Sequence, residues 1–140
     1  MTTVHTLASG SSGNALLVSC GVTHLLVDAG ISCRRITAAL AELGLTPGDL
    51  SAILITHTHS DHISGMQTLL KRTACPVRGS GRTCRELDYR LAGIRDRLEP
   101  LDACVPTELG AFEVTSVPTS HDAQAPAAID WILPTAASAS

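Results

Sequence analysis

The 140-residue sequence is poor in aromatics, with one Phe, one Tyr and one Trp. Any core must therefore be aliphatic, and a stacking platform for single-stranded nucleic acid has only Tyr89 near the basic part of the chain. No run approaches the ~18 uninterrupted apolar residues that a helical membrane span requires. The opening "MTTVHTLASG" has neither the basic start nor the apolar stretch of a secretory signal, so the cytoplasm is the expected compartment and no membrane association is expected. The cysteines, at 20, 33, 75, 84 and 104, are odd in number and show no Cys-x-x-Cys spacing. They read as reduced thiols that mostly pack. No internal repeat is visible. The length fits one domain, large enough to bury roughly 68% of the surface its unfolded form would expose.

What is present is unevenly charged. Residues 1–70 carry two arginines against four acids, residues 71–97 carry eight bases against three acids, and residues 98–140 carry six acids and no Lys or Arg. The +5 middle holds Lys71, Arg72, Arg78, Arg82, Arg85, Arg90, Arg95 and Arg97. Such a segment reads either as a face attractive to phosphate or as an ordinary solvated helix surface.

The pattern of elements is mixed. "TVHTLA" alternates as a first strand, "SGSSGN" is a loop, and "ALLVSC" and "THLLVDAG" flank a Cys-Gly turn as a hairpin. Ser32 can cap a helix over about 33–43, with Ile36, Ala39, Leu40 and Leu43 at helical spacing and Gly44 as its stop. "SAILIT" reads as an apolar strand, "ISGMQTLLKRT" as a helix, "CPVRG" as a short strand, the stretch near 82–98 as one helix, and "AFEVTSV" as a strand. Strands interleave with helices, so the predicted class is α/β. The last sixteen residues, "APAAIDWILPTAASAS", are rich in Ala, Ser, Thr and Pro, and are expected to form an irregular low-complexity tail over 125–140, following a unit at 1–124.

The chemistry concentrates in "ILITHTHSDHISG", residues 53–65. A helix would set His57 and His59 about 200° apart, whereas the end of an extended strand lets both meet one ion. A turn at Ser60 into a helix can aim Asp61 and His62 back at the same cavity, so the motif naturally addresses two ions. Imidazole nitrogen and carboxylate oxygen suit Zn²⁺, and also Mn²⁺ or Fe²⁺, better than Ca²⁺ or Mg²⁺. His5 and His24 sit in no such setting and are not expected to bind metal. The glycines of "SGSSGN" permit a nest of backbone amides for an anion, and equally a plain turn.

His57-x-His59-x-Asp61-His62, set after "ILIT" and before Gly65, resembles the signature of the metallo-β-lactamase-fold hydrolases. With "LASGSSGNALLVSCGVTHLLVDAG" and "VTSVPTSHDA", it is similar to the YycJ (WalJ) branch of that superfamily over residues 3 to about 124. The resemblance implies an αββα sandwich, of which this chain would be about the N-terminal half. It implies that His57, His59 and His121 bind a first metal ion and that Asp61 and His62 bind a second. Asp28, ending "LLVDAG", would support the site through hydrogen bonds more than as a ligand.

For a complete family member the implied activity is metal-assisted hydrolysis, with Asp61 orienting the nucleophile or taking its proton. The branch points to DNA phosphodiesters and 5′ exonuclease-like action. A thioester or lactam substrate stays open, because the metal motif fixes the reaction type alone. The family's bridging aspartate and final histidine have no located counterpart here. Asp122 and Asp130 are the only carboxylates beyond His121, and Asp130 lacks the expected strand context. Two further readings therefore stand beside the hydrolase: an inactive metal-binding fragment, and a module that binds nucleic acid through the +5 segment without chemistry. A sheet awaiting a second half is expected to expose an apolar face that drives self-association or partial disorder, and the oligomeric state is left open.

Overall fold

The computed structural model describes residues 2–8, 13–56, 63–101, 106–115 and 132–134, the last stretch as backbone alone. Its strands are β1 (Thr2–Ala8), β2 (Ala15–Cys20), β3 (Thr23–Val27), β4 (Ala52–Leu54), β5 (Val77–Ser80), β6 (Leu98–Leu101), β7 (Thr107–Leu109), β8 (Phe112–Val114) and β9 (Ile132–Pro134). Its helices are α1 (Cys33–Glu42), α2 (Met66–Leu70) and α3 (Gly81–Arg90). The class is α/β, as expected.

Strands β1 to β6 form one sheet in sequence order, and β7 to β9 form a second. The β1–β2–β3 meander is antiparallel and β3 to β6 run parallel. That combination puts the ends of β1, β3, β4 and β5 and the start of β2 at one edge of the sheet, the edge where open α/β sheets place their ligands.

Strand alternation decides the layers. Leu17, Leu26, Ile53 and Val77 stand in register across four strands and pack against Ile36 and Leu40 of α1, Met66 and Leu69 of α2 and Leu87 of α3. The alternate residues Val18, Leu25, Val27 and Leu54 pack on Phe112 and Val114 of the small sheet. Burial of each such aliphatic side chain stabilises the fold by about 1.5–3 kcal/mol. Central β4 is buried on both faces, which is why its sequence is uniformly apolar. The sheet face expected to lie open for self-association is thus covered at its described residues. Among the described residues the exposed large apolar side chains, Val4, Val22, Leu43 and Tyr89, lie apart along the chain. No helix among the described residues is long and apolar enough to cross a membrane.

Helix α1 starts and stops as its sequence predicts. The Ser32 hydroxyl accepts from the Arg35 amide at 3.2 Å, and the Gly44 amide closes the last turn on the Ala41 carbonyl at 3.0 Å. Three expectations need correction, and the strand expected at 111–117 runs at its end beyond the described residues. The helix near 82–98 ends at Arg90, because Leu91 turns extended, at φ −120° and ψ 119°. Arg95–Arg97 then form a 3₁₀ turn, and Leu98 begins β6 against Val77. The apolar spacing of Leu91, Ile94 and Leu98 mimics a helix, since a 3₁₀ turn of about three residues also returns side chains to one face. The helix over 63–73 is regular only at Met66–Leu70. The strand at 111–117 is described over Phe112–Val114. Within the stretch expected to be irregular, Ile132–Pro134 pairs with β8, Val114 opposite Ile132. A free strand edge accepts any extended segment that can supply hydrogen bonds, and Pro134 is tolerable there.

Arg97 is an element of the fold in its own right. Its guanidinium donates to the carbonyls of Leu70 at 3.0 Å, Thr73 at 2.6 Å and Cys75 at 2.8 Å. One rigid fork thereby satisfies the backbone acceptors left where α2 ends and the chain runs into β5.

Candidate metal centre

The centre is best built from the residues that hold its loops. At the end of β3 the chain turns at Asp28, whose φ of 64° is the one positive value among the described non-glycine residues. Aspartate tolerates this left-handed region better than most residues, but it costs about 1–2 kcal/mol. The conformation is held from both sides. The Asp28 amide donates to the Leu54 carbonyl at 2.7 Å, while Asp28 Oδ1 accepts from the Thr56 amide at 2.8 Å and Oδ2 from the Thr56 hydroxyl at 2.7 Å. A strained, buried carboxylate thus pins the residue that immediately precedes His57.

The far side of the histidine segment is clamped as firmly. The Gly65 amide donates to the Ala29 carbonyl at 2.8 Å and the Ser64 hydroxyl to the Gly30 carbonyl at 2.7 Å. A Cβ on Gly65 would collide with the Ile31 carbonyl oxygen, so only glycine permits this approach. The loop after β1 joins the same point. Gly13, at φ 149°, would place a Cβ 2.6 Å from the Gly30 carbonyl oxygen, and the Gly30 amide donates to the Asn14 carbonyl at 2.8 Å. The loops after β1 and β4 therefore converge on the 28–31 backbone, with Thr56 anchored on one side of the 57–62 segment and Ser64 and Gly65 on the other.

His57, His59, Asp61, His62 and His121 themselves lie outside the described residues. Among the described residues no group of three or more His, Cys, Asp or Glu gathers as a metal site. His24 hydrogen-bonds through Nδ1 to the Ser19 hydroxyl at 2.7 Å, and its amide donates to Ser51 at 3.1 Å. It sits at the start of β3, at the opposite edge of the sheet. Sequence reasoning missed Thr56, Ser64 and Gly65 as the parts that hold the segment. A threonine directly before the first histidine and a glycine three residues after the last were the available signals.

A family model described as the metallo-beta-lactamase superfamily matches residues 8–131. The chain belongs to the metallo-β-lactamase superfamily. It is 38% identical over 123 residues to an exodeoxyribonuclease WalJ of Streptococcus pneumoniae serotype 2 (strain D39 / NCTC 7466), covering 86% of this chain and 46% of that protein. It is 37% identical over 121 residues to the exodeoxyribonuclease YycJ of Bacillus anthracis, with the same coverage of 86% and 46%. The chain therefore spans about half the length of these curated relatives. Among solved structures, the metallo-β-lactamase SMB-1 superposes with a TM-score of 0.66 at 23% identity, covering 80% of this chain and 49% of that one. The latter likeness establishes the fold alone.

The superfamily implies divalent metal ions, and the donor chemistry fits them. Three imidazoles and a carboxylate fall within six positions of one segment, borderline donors suited to a first-row divalent ion. Both oxygens of Asp28 accept hydrogen bonds from Thr56, which suits a residue that positions ligands through the backbone.

Proposed function

We propose that this chain carries the metal-binding half of a divalent-metal-dependent phosphodiesterase, a 5′ exonuclease-like enzyme on DNA when complete. The observation that carries the reading is the Asp28–Thr56 anchor, which delivers the end of β4 directly into His57-x-His59-x-Asp61-His62. His57, His59 and His121 would hold a first ion, and Asp61 and His62 a second, with Zn²⁺ the fitting ion and Mn²⁺ or Fe²⁺ compatible with the same donors. When bound, such ions lower the pKa of a water toward neutrality and polarise the scissile bond. The Asp61 carboxylate would orient the nucleophile or take its proton. Asp28 holds both the amide and the hydroxyl of Thr56, the residue directly before His57. DNA as substrate is supported by the names of the two relatives and by the basic stretch at 71–97. Four buried free thiols, Cys20, Cys33, Cys75 and Cys84, suit a reducing compartment, which we take to be the cytoplasm.

Calorimetric titration of the 140-residue chain with Zn²⁺ tests this. We expect one tightly held ion, lost in both His57→Ala and His59→Ala, because each removes one of three nitrogen ligands. Undiminished affinity in both variants would remove the metal assignment. With Mn²⁺ or Zn²⁺ in excess, slow, chelator-sensitive turnover of bis(p-nitrophenyl) phosphate is expected, and its absence would overturn the hydrolase.

A further inference from the structure

The eight bases of the 71–97 segment divide once the fold is known. Arg97 is consumed by backbone carbonyls. Arg78 is paired with Glu99 at 2.9 Å, its side chain only 15% exposed, and Arg95 is paired with Asp88 at 2.9 Å. Lys71, Arg72, Arg82, Arg85 and Arg90 are left exposed. Three of these belong to α3, whose inward positions, Cys84 and Leu87, are buried. Helical spacing then sets Arg82, Arg85 and Tyr89 on one outward stripe. Tyr89 is 92% exposed, in a chain that has only three aromatics. Packing gives no reason for it to be there. The acids near the stripe are partly neutralised, since Asp88 is held by Arg95 and Glu86 lies 4.0 Å from Arg82.

The placement of α3 gives this stripe a direction. Ser80 caps the helix at the end of β5, at the sheet edge where β4 delivers Thr56 and the histidine segment. The helix runs back from that edge, so Arg82 stands nearest to it and Tyr89 about 10 Å farther along the axis. Guanidinium groups followed by an accessible ring supply what a single strand needs: cations for phosphates and a flat apolar face for an unpaired base. We propose that the outward face of α3 is a tract for single-stranded DNA, with Arg82 and Arg85 on phosphates and Tyr89 stacked on a base, leading the strand toward the edge that carries the histidine segment. A duplex hides its base faces, and an acidic protein has no use for the ring. The inference rests on the proposed phosphodiesterase reading for its substrate, but binding and turnover can fail separately.

Fluorescence anisotropy of a labelled oligothymidylate with the 140-residue chain, in chelator and across a salt series, tests it. Arg82→Ala/Arg85→Ala should flatten the slope of log affinity against log salt by about 1.4, since each single-strand phosphate contact contributes about 0.7. Tyr89→Ala should weaken binding roughly tenfold with the slope unchanged, and Tyr89→Phe should restore it. Arg34→Ala/Arg35→Ala, which removes the same charge from α1, should leave the slope as it is. The tract is overturned if the wild-type chain does not bind, if a duplex binds better, if the Arg34/Arg35 pair matters as much as Arg82/Arg85, or if Tyr89→Ala binds normally, which would leave a cationic face for any polyanion. Turnover of bis(p-nitrophenyl) phosphate without strand binding refutes the tract and spares the hydrolase. Strand binding that follows these variants without metal-dependent turnover does the reverse.

Discussion

Replacing Asp28 by alanine removes an acceptor that the end of β4 depends on. Two hydrogen bonds to a carboxylate are lost, at 2.8 Å and 2.7 Å, and bonds to a charged partner contribute about 1.5–3 kcal/mol each. Thr56 is half-buried, so water can partly serve its hydroxyl, and the lower end of the range applies: about 3 kcal/mol for the pair. Alanine at a φ of 64° adds about 1 kcal/mol, because its Cβ gains nothing from the left-handed region. The expected loss is therefore about 4 kcal/mol. Asparagine keeps an acceptor for the Thr56 amide and tolerates the same φ, so Asp28→Asn should cost only about 1 kcal/mol while weakening Zn²⁺ binding roughly tenfold, as loss of an outer partner of a metal ligand does. Urea unfolding followed by far-ultraviolet circular dichroism gives the first quantity and calorimetry the second. A double-mutant cycle of Asp28→Asn with Thr56→Val should show a coupling of about 1 kcal/mol. Strict additivity, or an Asp28→Ala variant within about 1 kcal/mol of wild type, would refute the anchor.

Gly65→Ala should destabilise by about 2–3 kcal/mol, since its methyl meets a backbone carbonyl that cannot move aside; an unchanged urea midpoint would show that the clamp is loose. Arg97→Lys should cost about 3 kcal/mol despite conserving charge, because an ammonium cannot reach the carbonyls of Leu70, Thr73 and Cys75 together; equal stability of Arg97→Lys and wild type would argue against the fork. Burial raises the pKa of the Cys75 and Cys84 thiols, against the opposing pull of Arg97 on the first and Arg78 on the second. Both thiols therefore ionise at higher pH folded than unfolded. Their contribution is complete below the unfolded thiol pKa of about 8.5 and is lost as pH rises through the folded value. Unfolding free energy measured toward pH 10 should fall more steeply for wild type than for Cys84→Ala, and parallel curves would contradict this.

Local signals carried far in the first half of the chain. The strand–turn–strand spacing of 15–27, the Ser32 cap and the apolar run before His57 each have one cheap structural solution, and the structure adopts it. Between 91 and 101 the local pattern misled. Leu91, Ile94 and Leu98 fit a helix equally well, and the competing need, an edge strand beside Val77, is visible only once β5 is in place. Arg97 illustrates the same difficulty. Nothing in "IRDRLEP" distinguishes a surface arginine from one whose partners lie more than twenty residues earlier. The candidate centre was legible as donor types and spacing, whereas the Asp28–Thr56 contact spans twenty-eight positions, and the resemblance pointed to Asp28 without its partner.

Surface loops are ordinarily where a chain accepts extra residues. Here the connections after β1 and β4 are tied to the 29–31 backbone of the connection after β3 by three hydrogen bonds and two side-chain-free approaches. Tolerance to insertion is thereby inverted across the molecule. Tags, linkers or split points placed at 13–14, 29–31 or 64–65 would pry apart the common keel formed by these three connections. The turns at Gly44 and Gly93 open onto empty space, so they are the places to cut, label or join this chain while keeping the histidine edge assembled.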